Sequence, residues 1–351
     1  MIELDGNYGE GGGAIVRTAL ALSALTLKPF KVDKIRSNRP KPGLKPQHVH
    51  TIKQLRKITE AAVTGDELGS TELAFAPKHL KAKNLKIDIG TAGSITLLLQ
   101  TLIPSLMFAD KRCKLAIKGG TDVSWSPPVD YLREVLLPQF NRYAKISCKL
   151  IKRGYYPEGG GEIEISIVPS YSLEELKQAP KINLTEQGHL MQIKGISHAS
   201  KQLIQAKVAE RQAHAAKQLL AKEFSCPIHI RTEYCDSLST GSGVFLYAIF
   251  SKTKDDVDIN NPIRLGADCL GERGKRAEIV GQEAAQSLVD EIKSGAAADH
   301  YLADQLLLLM ALIGDCRIKT SNVSSHAKTN IYVIEQFLGR KFEVDENVIS
   351  T

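Results

Sequence analysis

The chain predicts an α/β (α+β) protein: repeated βαβαββ-type units form a large domain, and a smaller α/β domain is inserted late. Three observations carry this expectation. A short strand, a glycine-containing turn and an amphipathic or apolar helix recur along the first half. A glycine run at 156–161 (Tyr-Pro-Glu-Gly-Gly-Gly) echoes one at 9–13, which suggests internal duplication with units of roughly 80 to 90 residues. Around 184–278 the texture changes to a long polar helix followed by closely spaced strands. The predicted division is therefore 1–183 with 279–351 for the large domain and 184–278 for the insert.

The elements follow in order. Residues 1–4 make a very short strand, and the loop 5–17 (DGNYGEGGGAIVR) leads into a helix over 15–25. A second helix spans 47–62, with Val49, Ile52, Leu55 and Ile58 on one face. A strand at 85–89 precedes an apolar helix opened by Gly93-Ser94 and running to Met107, kinked at Pro104. A strand at 114–118, a helix at 131–141 and the alternating strand 162–168 complete the first half. The insert holds a helix over 201–223, strands at 228–233 and 244–250, and a turn at 240–243. An Ala/Glu-rich helix (277–294), an apolar helix (301–313) and a strand-turn-helix (317–338) close the chain.

Bulk properties narrow the function classes. Hydrophobic content of 43% and charged content of 24% are those of a globular protein, and the net charge of +7 suits a polyanionic partner without requiring one. The longest apolar run, 306–313, is far short of the ~20 residues that cross a bilayer. No charged-then-apolar leader opens the sequence, so a cytoplasmic location is expected, with no membrane partner. Six scattered cysteines without a CxxC pair argue against a zinc site or a disulfide framework. Cys226 and Cys235 could face each other across a hairpin, with free thiols expected in a reducing compartment.

The first glycine loop sets one carboxylate, Glu10, among Gly9 and Gly11 to Gly13, with Arg17 seven residues on. Backbone without Cβ can approach a bulky anion, so the pattern suits phosphate binding, although a plain strand-to-helix turn satisfies it too. It lacks the Gly-Lys-Ser/Thr ending of a Walker loop. Arg17, Arg36, Arg39, Lys41 and Lys45 cluster in one Pro- and Gly-rich stretch. His326 lies in Ser-Ser-His-Ala-Lys-Thr-Asn just before an expected helix over 331–338, with Thr329 or Asn330 as its cap. A helix N-terminus would keep such an imidazole neutral and favour a bound phosphate; a capping or surface histidine is the bland alternative. Tyr301, Asp304 and Gln305 share a helical face, and Gln100 interrupts a leucine run. Each has a structural reading as well, as a dipole-favoured carboxylate or a satisfied polar residue.

Together these tracts resemble the RNA 3′-terminal phosphate cyclase family: the loop 9–17, Ile35 to Leu44 (IRSNRPKPGL), Gly93-Ser94 with Gln100, Gly119-Gly120-Thr121-Asp122, the 156–161 run, the Tyr301 to Gln305 face, and His326 with Thr329-Asn330. The resemblance implies a core of repeated α/β units related to the C-terminal fold of a translation initiation factor and to the enolpyruvyl transferases. It also implies ATP and Mg²⁺ (or Mn²⁺) as cofactors and RNA with a 3′-terminal phosphate as substrate. In that scheme His326 takes AMP from ATP and passes it to the RNA 3′-phosphate, and the 2′-hydroxyl then closes a 2′,3′-cyclic end. Glu10 would hold the metal; Gln100, Tyr301, Asp304 and Gln305 would line the ATP pocket; Arg17, Arg36 and Arg39 would meet phosphate and RNA. Two other readings use the same architecture: a catalytically silent cyclase-like protein that binds RNA in ribosome biogenesis, and an enolpyruvyl-type transferase. His326 with Glu10 and the arginines argues against the first, and the Ser325-His326 tract with the Tyr301 face argues against the second. The oligomeric state stays open, a dimer being one option.

Overall fold

The computed structural model describes residues 1–254 and 262–351. Its first sheet is built by β1 (Ile2–Asp5), α1 (Ala14–Thr26), β2 (Phe30–Asp33), α2 (Pro46–Thr59), β3 (Ala62–Thr64) and β4 (Leu73–Ala76), in the order β1-β2-β4-β3. Strands β1 and β2 are parallel, while β4 runs antiparallel to both β2 and β3. The second unit repeats this pattern with β5 (Leu85–Asp88), α3 (Ile95–Leu106), β6 (Cys113–Gly119), the helical stretch α4 (Val129–Tyr131) to α5 (Leu137–Phe140), β7 (Ala144–Lys152) and β8 (Gly161–Pro169). Its order is β5-β6-β8-β7, again with one parallel pair and two antiparallel pairs.

A third unit begins at β9 (Asn183–Leu184) and is interrupted at once. The interruption contains β10 (His189–Ser200), α6 (Val208–Glu223), β11 (Ile228–Cys235), β12 (Ser242–Ser251), β13 (Ile263–Leu270) and α7 (Ala277–Lys293). These strands form their own sheet, β11-β10-β12-β13, with α6 and α7 packed on each other and α7 against β12 and β13. The unit then resumes with α8 (His300–Ile313), β14 (Arg317–Lys319), α9 (Ser325–Leu338), β15 (Glu343–Asp345) and β16 (Val348–Ser350). Its sheet, β15-β16-β14-β9, pairs β9 with β14 in parallel and the rest antiparallel. The same six-element topology therefore occurs three times.

The glycine echo turns out to be no part of that repeat. The 9–13 run joins β1 to α1, whereas 156–161 joins β7 to β8, and the equivalent of the first loop in the second unit is the stretch between β5 and α3. Helix α2 ends at Thr59 and not at Ala62, which begins β3. The polar helix α6 starts at Val208, because a single helical turn at Lys201–Leu203 is cut off by Lys207 in a left-handed conformation. Between α4 and α5 the helix widens into a π turn, Leu132–Leu136, ahead of Pro138. Proline has no N–H for the Glu134 carbonyl one turn back, and Arg264 Nη1 donates to that carbonyl instead at 2.6 Å. Cys226 and Cys235 flank the same strand, nine residues apart, a separation of roughly 30 Å in extended chain, so they do not face each other. All six cysteines are free.

A buried ionic cluster fastens the insert to the second unit. Arg153, just after β7, is 2% exposed and bonds Asp122 at 3.1 Å, Asp130 at 2.7 Å and Glu233 of β11 at 2.6 Å. His198 of β10 contributes Nε2, 3.3 Å from Asp122, while its Nδ1 meets the Tyr155 hydroxyl at 2.8 Å. Burial drives the His198 pKa well below its usual range, so the ring is neutral. Asp122, Asp130 and His198 have the spacing of a cation site, and the guanidinium of Arg153 already supplies the cation. This is where the Gly119-Gly120-Thr121-Asp122 tract is used. Among the described residues no helix is long and apolar enough to cross a membrane.

Candidate active site

One cavity opens between α1, α3, α8 and α9 and the loop before α4. Six of the residues expected in the site line it: Arg17, Gln100, Tyr301, Asp304, Gln305 and His326. Leu97, Pro104, Pro127, Leu136 and Phe140 form its apolar wall. Pro104 sits inside α3 and has no N–H, so the Gln100 carbonyl loses its helical donor at the position where both residues meet the cavity.

Helix α9 differs from expectation in a way that matters for His326. It begins at Ser325, capped by the Ser324 hydroxyl, which accepts from the Ala327 N–H at 2.9 Å. The expected start at Ile331, with Thr329 or Asn330 as cap, is thus too late by six residues. His326 occupies the first turn of the helix, where free backbone N–H groups and the dipole favour an anion. The Ser324 hydroxyl also donates to Asp304 Oδ1 at 2.7 Å, tying α8 to the start of α9. Asn330 reinforces the joint: its amide donates to the Asp304 carbonyl at 3.1 Å and its Oδ1 accepts from Thr18 of α1 at 2.7 Å.

Helix α8 is held at its own start by Asp299. Its carboxylate caps Leu302 N at 2.9 Å and accepts from the Tyr131 hydroxyl at 2.6 Å and from Gly266 N of β13 at 2.9 Å. The insert and the second unit together fix where Tyr301, Asp304 and Gln305 stand. Gln305 donates to the Tyr301 carbonyl at 3.0 Å, and Tyr301 lies edge-on to Tyr131 at 5.7 Å.

The glycine loop closes the other side. Gly9 has φ +63°, and a Cβ there would come within 2.7 Å of Thr329 Oγ1 on α9. Tyr8 stacks on Tyr332 of the same helix at 3.9 Å. The loop is thereby pressed against α9, and Glu10 reaches His326: Oε1 lies 2.7 Å from Nδ1. Its other oxygen accepts from Arg39 Nη2 at 2.9 Å. The Glu10 carboxyl is held below the usual range, chiefly by the His326 contact and with help from Arg39 and Arg17, against the opposing effect of burial. With Nδ1 engaged by a carboxylate, the imidazole is oriented with Nε2 outward.

Positive groups converge on the N-terminus of α1. Burial lowers the Arg17 guanidinium to about 10, opposed by Glu10 and Asp304, and burial followed by Arg39 lowers Arg36. His48, absent from the expected set, belongs here. It is 2% exposed, its Nδ1 accepts from Lys45 N at 3.0 Å, and its Nε2 has no hydrogen-bond partner among the described residues and lies 2.5 Å from where a Cβ on Gly13 would be. Burial, then Arg17, Arg36 and Lys45, take its pKa down to about 3, so it is a neutral ring with a donor aimed at the helix N-terminus. Nothing in its sequence setting marked it, because its neighbours Val49 and Ile52 read as an ordinary core face. On the opposite side Asp304 is lifted to about 6, mainly by burial. Trp125 also lines the cavity, 97% exposed and with φ +64°. It is the single tryptophan of the chain, a signal that composition offered and the sequence reading did not use.

Three copies of one α/β unit around a cavity that pairs a histidine with a carboxylate, under a glycine loop ringed by arginines, define an α/β enzyme with an anion-binding site. The sequence profile of the RNA 3′-terminal phosphate cyclase family matches residues 8–344. A relative from Pyrococcus abyssi, an RNA 3′-terminal phosphate cyclase, is 46% identical over 349 residues, covering 99% of this chain and 96% of the relative. Those of the same name from Sulfurisphaera tokodaii and Archaeoglobus fulgidus are 46% and 44% identical, covering 98% and 99% of this chain and 96% and 100% of the relatives. The chain belongs to the RNA 3′-terminal phosphate cyclase family and is an enzyme of that family.

Proposed function

We propose that the protein uses ATP to convert an RNA 3′-phosphate into a 2′,3′-cyclic phosphodiester through a covalent adduct on His326. The observation that carries this reading is the Glu10–His326 pair, 2.7 Å apart, at the first turn of α9 and against the glycine loop. Nε2 of His326 attacks the α-phosphorus of ATP; a P–N bond forms, the bond to the β-phosphate oxygen breaks, and pyrophosphate leaves. Glu10 accepts from Nδ1–H and stabilises the positive charge the ring acquires. An oxygen of the RNA 3′-phosphate then attacks the same phosphorus, the P–N bond breaks, and AMP passes to the RNA. The terminal 2′-hydroxyl loses its proton, attacks the 3′-phosphorus, and AMP departs.

Each step is displacement at phosphorus, so the residues chiefly hold groups in line and neutralise oxygens. Arg17, Arg36 and Arg39 supply planar, permanently charged forks for this. Gln100, Tyr301, Asp304 and Gln305 would hold the nucleoside. Glu10, a carboxylate and so a hard oxygen donor, would hold a divalent Mg²⁺ or Mn²⁺, which when bound would supply Lewis-acid polarisation of phosphate oxygens. The same reading divides the chain into a catalytic body, 1–183 with 279–351, and an insert, 184–278; the packing of α7 on α6, β12 and β13 supports carrying the insert to Lys293.

Incubation with α-labelled ATP and metal tests the reading. An acid-labile, alkali-stable protein–AMP adduct is expected, absent in His326→Ala, with RNA 3′-phosphate converted to a cyclic end only when ATP is present. Adduct of wild-type yield on His326→Ala, or cyclisation without ATP, overturns it.

A further inference from the structure

Lys78 and Lys86 line one groove with Lys53, Arg56 and Lys57 of α2. The groove encloses about 800 Å³ between α2, the start of β3 and β5. His50 and Gln54 also line it, as do two carboxylates, Glu60 and Asp88, and Asp88 is close enough to act on the His50 ring. Glu60 faces His79 at 3.7 Å, while Asp88 accepts from Gly90 N at 2.8 Å and lies 4.0 Å from Lys118. Arg56 has a distant carboxylate, Asp66 at 3.9 Å, and Lys57 Nζ donates only to the neutral Gln54 at 3.2 Å. Among the described residues Lys53, Lys78 and Lys86 have no side-chain partner, and all five cations are exposed.

An ordinary solvated face scatters lysines among acids. Here five cations line one concavity with only two acids, Glu60 facing His79 and Asp88 shared between Lys118 and His50. Its two walls also lead to the candidate active site. Helix α2 begins at the glycine loop, where His48 abuts Gly13, and His50, Lys53 and Lys57 continue along its exposed side. Strand β5 ends one loop before α3, which carries Gln100. From His50 to Lys57 the helix rises roughly 10 Å, the span of two to three nucleotides of a single strand.

We propose that this groove carries the body of the RNA substrate, the nucleotides on the 5′ side of the terminal phosphate, by contacts to its backbone phosphates. The occupant's identity as RNA rests on the function proposed above. Arginines at the glycine loop receive the terminal phosphate, and the α2–β5 groove receives the phosphates that precede it. Because the contacts are cationic and backbone-directed, the groove supplies affinity without base preference.

The test is the triple variant Lys53→Gln, Lys57→Gln, Lys86→Gln, none of which touches the cavity around His326. Binding of a fluorescent 12-nucleotide RNA with a 3′-phosphate is followed by anisotropy over a salt series, beside a dinucleotide with the same end. The variant is expected to bind the 12-mer about tenfold more weakly at low salt, with the salt slope reduced by about 2, since each lost single-strand phosphate contact accounts for ~0.7. Dinucleotide binding and formation of the His326 adduct should match wild type. An unchanged 12-mer affinity and slope, equal losses for both lengths, or competition by poly-glutamate as effective as by RNA overturns the groove as an RNA track. Wild-type protein that binds RNA through the groove yet forms no adduct overturns the proposed function and leaves the groove standing.

Discussion

Glu10 is the residue whose replacement separates orientation of His326 from mere proximity. The carboxylate bridges His326 and Arg39, with Oε1 2.7 Å from His326 Nδ1 and Oε2 accepting from Arg39 at 2.9 Å. Glu10→Ala removes both contacts and frees the ring to rotate or to change tautomer. Each charge-assisted hydrogen bond contributes about 1.5–3 kcal/mol. Losing the one that grows as the imidazole becomes charged should slow adduct formation about 10- to 150-fold. Glu10→Gln keeps an oxygen able to accept from Nδ1–H and loses only the charge, so its rate should lie between Ala and wild type. The assay is single-turnover formation of labelled protein–AMP at saturating ATP, with His326→Ala as the zero. If Glu10→Ala forms adduct at the wild-type rate, the 2.7 Å contact has no part in activating the histidine.

Arg153→Leu would leave Asp122 buried without a counter-charge and Asp130 with only the more distant Arg133 at 3.4 Å, at a cost of about 3–5 kcal/mol, and thermal unfolding should show a Tm lower by roughly 5 °C or more. An unchanged Tm would mean that the cluster does not fasten the insert. Asp304 gives a pH signature. Burial lifts its pKa from 3.8 to about 6, so the folded protein holds the proton longer than the unfolded chain, and this residue's contribution to stability falls as pH rises from about 4 to 6. Asp304→Asn should flatten the Tm profile over that window; parallel wild-type and variant profiles would refute the assignment. For His48, whose Nε2 has no partner among the described residues, His48→Phe keeps the packing and removes the donor facing the α1 N-terminus. The ATP concentration for half-maximal adduct formation should then rise about tenfold, and an unaltered value would return His48 to a packing role.

What the sequence determined by itself was local. The glycine loop, the apolar stripe of α2 and the leucine runs of α3 and α8 were legible because backbone freedom and helical periodicity are properties of neighbours along the chain. The start of α9 was misread for a physical reason: its first turn carries the exposed polar residues Ser325, His326 and Lys328, so apolar periodicity begins only at Ile331, about two turns after the true cap at Ser324. The π turn before Pro138 depends on a distant donor, Arg264, and no local pattern could announce it. The repeat was visible as rhythm, but its third copy was not, because the insert separates β9 from α8 and topology is written in strand pairing. Only the tertiary structure brought Glu10 to His326 across 316 positions, set Ser324 on Asp304 and aimed His48 at Gly13. These contacts form because α1, α8 and α9 bury their apolar faces against one another, and where those faces end, polar side chains from distant segments are left facing one cavity.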